Sequence, residues 1–162
     1  MCIRDSLKPA VVLPKSPAAR RPQPSGCYHI LLVEDNLVNQ RVLRKQLTRA
    51  NCTVYVANHG LEALEVLRTA NIWKDNAETG IKIDVVLMDL DMPVLNGLAA
   101  TREIRSLEAN GDLTRRSKII AVTANVRQEQ VERAMAAGVD GVMPKPFLVA
   151  DLLITIKKML RT

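Results

Sequence analysis

An α/β fold wound on both faces of a five-stranded parallel sheet is what this 162-residue sequence predicts. Three observations carry that prediction. From Tyr28 onward, short apolar runs alternate with amphipathic helical patterns, giving five β/α units in succession. Several of the apolar runs stop abruptly on charged or hydroxylated residues, as strands do where a sheet edge faces solvent and ligand. The boundaries carry matching chemistry, with Asn36, Asn58 and Asn96 at positions that suit N-caps and with Gly111 and Gly138 where helices should stop.

The elements follow in order. A first strand is expected over 29–33, where Ile30, Leu31, Leu32 and Val33 run into the acidic pair Glu34-Asp35. A helix follows over 37–49, with Val38, Val42, Leu43 and Leu47 on one face. A second strand over 53–57 leads into a helix over 59–70. Residues 71–82 exceed the usual connection of about 4 to 6 residues and contain the single tryptophan, Trp73, so a surface excursion anchored by the indole is expected. The third strand, 83–88, is the apolar run Ile83-Asp84-Val85-Val86-Leu87-Met88, and Asp89 stands at its tip. Helices over 97–108 and 126–137 flank a fourth strand over 118–123, which ends at Thr123. A fifth strand over 140–143 ends beside Lys145, and a last helix over 149–160 carries Leu152, Leu153, Ile156 and Leu160 on one stripe.

Length and composition bound the reading further. One domain of ordinary size is expected, able to bury about two thirds of its unfolded surface. No apolar run reaches the ~18 residues of a membrane span, and the start lacks the apolar segment of a secretory signal, so a cytoplasmic setting is expected. Cys2, Cys27 and Cys52 are odd in number and lack C-x-x-C spacing, which favours reduced thiols over a disulfide framework or a zinc site. The net charge of +6 is uneven: Arg4, Lys8, Lys15, Arg20 and Arg21 against Asp5 leave only +2 beyond residue 26. No helix resembles a base reader, and direct nucleic-acid binding is not expected. Five of the eight prolines also precede residue 25, so 1–26 reads as a disordered, Pro-rich basic linker and 27–162 as the folded domain. His29 and His59 read as a strand-start and a helix-start residue without chemistry of their own.

Parallel strands point one way, so Glu34, Asp35, Asp89, Thr123 and Lys145 should gather on one rim. Two carboxylates ~4 Å apart repel by about 4 kcal/mol at an effective dielectric near 20, so positive charge must join them. Lys145 supplies one charge. A hard divalent cation that prefers oxygen ligands, Mg²⁺, supplies the rest. Cation, ammonium and hydroxyl together suit a phosphoryl group, and Asp89 is then the natural nucleophile, giving an aspartyl phosphate.

The segments Ile30-Leu31-Leu32-Val33-Glu34-Asp35-Asn36, Val86-Leu87-Met88-Asp89-Leu90-Asp91-Met92-Pro93, Ala121-Val122-Thr123-Ala124 and Lys145-Pro146-Phe147 resemble those of CheY-like response-regulator receiver domains. The resemblance covers about residues 28 to 160. It implies a flavodoxin-like sheet of order 2-1-3-4-5 with helices on both faces. It also implies Asp89 as phosphoacceptor, Asp35 and Asp89 as direct metal ligands, Glu34 acting through water, and the main-chain carbonyl of Asp91 as a further ligand. Thr123 and Lys145 would each bind a phosphoryl oxygen, and the Lys145-Pro146 bond would be cis. Val142 stands where many receivers carry an aromatic residue that swings inward, so a large aromatic toggle is not expected.

A finer resemblance joins Val33-Glu34-Asp35-Asn36, Asn39-Gln40, Ala121-Val122-Thr123-Ala124-Asn125 and the excursion near Trp73 to receivers at the carboxyl end of fungal hybrid histidine kinases. It implies a phosphohistidine donor on a kinase transmitter domain and a histidine-containing phosphotransfer protein as partner. The parent kinase would be membrane-bound or soluble, and the domain a switch and not a multi-turnover catalyst. A stand-alone or transcription-factor-linked regulator is the alternative, although the sequence ends soon after the last helix and leaves no room for a DNA-binding output. Asp89-Leu90-Asp91 also matches the D-x-D of haloacid-dehalogenase-like phosphatases, but Met92-Pro93 follows and the other acids come early. A dinucleotide site is excluded by Glu34-Asp35-Asn36 in place of a Gly-rich turn.

Overall fold

The computed structural model describes residues 28–90, 92 and 96–161. The expected linker over 1–26 and the expected ligand Asp91 lie outside the described residues. Five strands, β1 (His29–Val33), β2 (Thr53–Ala57), β3 (Val85–Asp89), β4 (Lys118–Thr123) and β5 (Gly141–Pro144), alternate with five helices. These are α1 (Leu37–Arg49), α2 (Gly60–Arg68), α3 (Gly97–Ala109), α4 (Gln128–Ala137) and α5 (Val149–Arg161).

All strand pairings are parallel and the order is β2-β1-β3-β4-β5, as the family resemblance implied. Strand side chains alternate between two buried layers, which is the period-2 geometry of a sheet covered on both faces. Ile30, Leu32, Val85, Leu87 and Ile120 join Leu47 of α1 and Leu152 and Ile156 of α5. Leu31, Val33, Val86, Met88, Ile119 and Ala121 join residues of α2, α3 and α4. The chain leaves β1 toward β2 on one side and then crosses to β3 on the other, so the winding order, not the strand direction, reverses between β1 and β3. A crevice at their carboxyl ends is the consequence.

Several boundaries moved for identifiable reasons. Asn36 and Asn96 cap α1 and α3, accepting from Val38 and Asn39 N–H at 3.0 Å and from Ala99 N–H at 2.9 Å. Asn58, expected to cap α2, does not. His59 takes that place, its Nδ1 accepting from the Glu62 N–H at 3.2 Å, because the Asn58 amide is engaged elsewhere. Helix α4 begins at Gln128 and not at 126, since Asn125 and Thr123 hold the preceding turn in side-chain to backbone hydrogen bonds. Strand β3 begins at Val85 because Asp84 instead seals the start of β1: its carboxylate accepts from His29 N–H at 2.7 Å.

The excursion after α2 is tied at both ends and not merely laid on the surface. Asn71 N–H donates to Ile81 O and Lys74 N–H donates to Asp112 O, while Ile72 is buried. Trp73 bridges to Leu113, and the Arg68 guanidinium lies 5.8 Å from its ring centroid. The indole anchor expected from sequence is therefore present.

Candidate functional site

Each residue expected on the rim arrives there by a separate strand. Val33 ends β1 and delivers Glu34 and Asp35; Asp89 is the last residue of β3; Thr123 is the last of β4; Lys145 follows β5. Ligand oxygens of Glu34, Asp35 and Asp89 all lie within 4.8 Å of one another. Glu34 and Asp89 are buried, whereas Asp35 is exposed. The Lys145 ammonium stands between the two buried acids, 3.4 Å from Glu34 Oε1 and 3.3 Å from Asp89 Oδ2.

The electrostatics follow from that packing. Burial pushes the Glu34 carboxyl above its usual range, the Asn36 N–H pulls it back, and the neighbouring Asp89 charge adds to the rise. For Lys145, burial works against the charged form, but Asp89 and Glu34 together outweigh it and hold the ammonium above its ordinary value. Three carboxylates against one ammonium leave an excess of two negative charges when all are ionised. A hard, oxygen-seeking cation fits such a donor set.

The backbone around the acids is pinned. Glu34 N–H donates to Ala57 O at 3.1 Å and Asn36 N–H donates to Glu34 Oε2 at 3.1 Å. Lys145 N–H donates to Thr123 O at 2.9 Å, which fastens the last loop to the end of β4, and the Lys145–Pro146 peptide is cis as expected. Thr123 is buried, and its hydroxyl accepts from Asn125 N–H at 3.0 Å. A cavity of about 520 Å³ opens beside the acids, between Val42 and Leu43 of α1 and Phe147.

Sequence reasoning missed two contributors. Gln40 was noted only within a motif, yet its side-chain amide donates to Glu34 O at 2.8 Å. Gly97 opens α3 directly against the peptide of Asp89: a Cβ there would lie 2.3 Å from Asp89 O. A glycine immediately after an N-cap asparagine was the available signal, though nothing local names its neighbour.

Residues 30–157 match the response regulator receiver domain family. The chain is 35% identical over 120 residues to hybrid signal transduction histidine kinase I of Dictyostelium discoideum, covering 73% of this chain and 6% of that protein. It thus spans a small part of that relative's length. Among solved structures, the receiver domain of sensor histidine kinase PA1611 from Pseudomonas aeruginosa, with magnesium coordinated in its active-site cleft, is similar at 35% identity and a TM-score of 0.66, covering 85% of this chain and all of that one. The co-crystal structure of the Saccharomyces cerevisiae phosphotransfer protein Ypd1 with the Ssk1 receiver domain matches at 28% identity and a TM-score of 0.66, over 82% of this chain and 88% of that one. The haloacid-dehalogenase-like alternative finds no support in these likenesses or in the 2-1-3-4-5 sheet.

Proposed function

The chain belongs to the response regulator receiver domain family, and from that premise we propose that Asp89 accepts a phosphoryl group from phosphohistidine in a histidine-to-aspartate relay. The observation that carries this reading is the meeting of Glu34, Asp35 and Asp89 at the sheet's reversal point, with Lys145 bridging two of them. Nothing in core packing calls for three acids there, and their mutual repulsion is tolerated only where a site needs it.

Mg²⁺ fits the donor set of Glu34, Asp35 and Asp89; Asp35 and Asp89 would hold it directly, and by the family resemblance the main-chain carbonyl of Asp91 would join them while Glu34 would act through water. When bound, it would offset negative charge on the phosphoryl oxygens. The remaining work falls to side chains. One carboxylate oxygen of Asp89 attacks phosphorus in line; the P–N bond of the donor breaks, and its electron pair stays on the imidazole nitrogen. Lys145 pairs with a phosphoryl oxygen from the side it now shares with Asp89. Thr123 turns its hydroxyl from Asn125 toward another oxygen and draws the start of α4 with it, so a local charge change biases the face made by α4, β5 and α5.

The family resemblance and the hybrid-kinase relative support a kinase parent, with residues 1–26 as tether and 27–162 as receiver. A histidine-containing phosphotransfer protein is the partner this reading calls for, and Val38 and Val42 on α1, 68% and 52% exposed, offer it apolar contact. None of the helices in the described residues is long and apolar enough to cross a membrane; a cytoplasmic setting is part of the proposal.

Phosphotransfer from phosphotransfer proteins to the parent chain and to Asp89→Asn, with and without Mg²⁺, tests the reading. Label should appear on the parent only, only with Mg²⁺, and should show the alkali lability of an acyl phosphate. Labelling of Asp89→Asn at the parent rate would move the acceptor elsewhere.

A further inference from the structure

The Glu34-Asp35 peptide is held from outside the acid cluster by a chain of side-chain hydrogen bonds that the reaction itself does not use. Gln40 lies in the first turn of α1, where its N–H donates to Asn36 O at 2.9 Å. Its single amide nitrogen, Nε2, spends both hydrogens: one on Glu34 O at 2.8 Å and one on Asn58 Oδ1 at 2.9 Å. Asn58 is itself fixed, its N–H and its Nδ2 both donating to Glu62 Oε1 at 2.9 Å. Glu62 is anchored in turn at the start of α2, where its N–H is taken by the His59 cap.

The consequence is geometric. Asp35 is exposed, and what fixes its direction is the pair of peptides flanking it. Asn36 secures the far side as the N-cap of α1. On the near side the Glu34 carbonyl accepts from Gln40, and through Gln40 the β1–α1 loop is tied to the β2–α2 loop. Without that donor the 34–35 peptide loses its hold and Asp35 can swing out of register with Asp89.

We infer that Gln40, held by Asn58, is a positioning residue that presets the metal-ligating acids of the β1–α1 loop and thereby sets the affinity for a divalent cation. The inference rests on the metal role assigned to Asp35 above. Groups that orient metal ligands without touching the metal are commonly worth about 10- to 100-fold in affinity.

The test is calorimetric titration of Mg²⁺ into the full chain, with the thermal midpoint of the metal-free protein measured alongside. Gln40→Met keeps length and helix preference but removes both donors. It should weaken Mg²⁺ binding about 10-fold while leaving the metal-free midpoint within a few degrees. Asn58→Ala frees the far end of the Gln40 amide without touching α1, and should weaken binding less. The double variant should bind no more weakly than Gln40→Met alone, because the two act through one carbonyl. Affinity within twofold of the parent in Gln40→Met, unchanged affinity in Asn58→Ala, or weakening that tracks a collapse of the metal-free midpoint would each overturn the inference. Asp35→Asn separates the two claims: if it binds Mg²⁺ like the parent, the metal reading fails whatever Gln40 does.

Discussion

Glu34 is where the competing demands of this site fall on one side chain. It is buried beside Asp89, and its carboxyl is held above the ordinary value mainly by that burial. The folded state therefore binds the Glu34 proton more tightly than the unfolded chain does. The stability this confers is complete below the ordinary glutamate range and is lost as pH rises through the raised value, so at neutral pH the ionised group weakens the metal-free fold. Glu34→Gln should raise the metal-free thermal midpoint at neutral pH and flatten its dependence between mild acid and neutrality, while lowering Mg²⁺ affinity. Equal slopes of midpoint against pH in the two proteins would refute the assignment. Lys145 has the same sign at the other extreme, its contribution fading only as pH climbs past the ordinary lysine value of 10.5. Gly97 constrains the site differently. An added Cβ would meet Asp89 O at 2.3 Å and Leu90 Cα at 2.8 Å, and backbone cannot swing aside as a side chain can. Gly97→Ala should cost about 1–3 kcal/mol in denaturant unfolding and, given the proposed role of Asp89, slow its phosphorylation, since the strain is applied to that residue's own peptide.

One arginine ties several elements together beyond the apolar layers. Arg105 of α3 donates from Nε to Gly138 O at the end of α4, from Nη1 to Ser117 O before β4 and to Glu108, and from Nη2 to Asp140 before β5. Asp140 Oδ2 also accepts from Ile119 N–H at 2.8 Å, so one carboxylate serves both the β4 start and the helix. Gly138 fits this clamp twice over. Its φ of +111° suits glycine, and a Cβ would lie 2.8 Å from Arg105 Cγ. Because Arg105, Glu108 and Asp140 side chains are all about 85% buried, Arg105→Ala removes the guanidinium from both acids, leaving Arg116 as the cation on Asp140 and the Ser117 and Ile119 N–H groups as donors to Glu108 and Asp140. A loss of about 3 kcal/mol is expected from equilibrium denaturation. The clamp lies at the opposite end of β4 from Thr123, so Mg²⁺ affinity should change far less than stability. Of this network, sequence reasoning marked only Gly138 as a helix stop; the arginine is one of many and its partners are 33 and 35 residues away.

At the scale of the whole molecule the acids make the fold responsive to its cofactor. A cation bound only by the folded chain adds about 2.7 kcal/mol at a concentration 100-fold above its dissociation constant, so saturating Mg²⁺ should raise the thermal midpoint of the parent by several degrees. The same addition should leave Asp35→Asn nearly unmoved; a shift of parental size in that variant would place the cation elsewhere. The strands, the helices and the acids at the strand tips were legible in the sequence, because each depends on spacing within a dozen residues: the continuous apolar run for β1, the stripe through Leu47 for α1, and the break from Met88 to Asp89. The cap of α2 was misassigned to Asn58 because a free asparagine favours that role, while here its amide is committed to Gln40 and Glu62 across two loops. The gathering of Glu34, Asp89 and Lys145 on one rim was expected from the sequence; tertiary structure decided that the ammonium stands 3.4 and 3.3 Å from the two acids, that Gly97 presses on Asp89 and that Gln40 holds the Glu34 carbonyl. Those contacts join residues that strand order brings together, and no local pattern encodes which strand lies beside which.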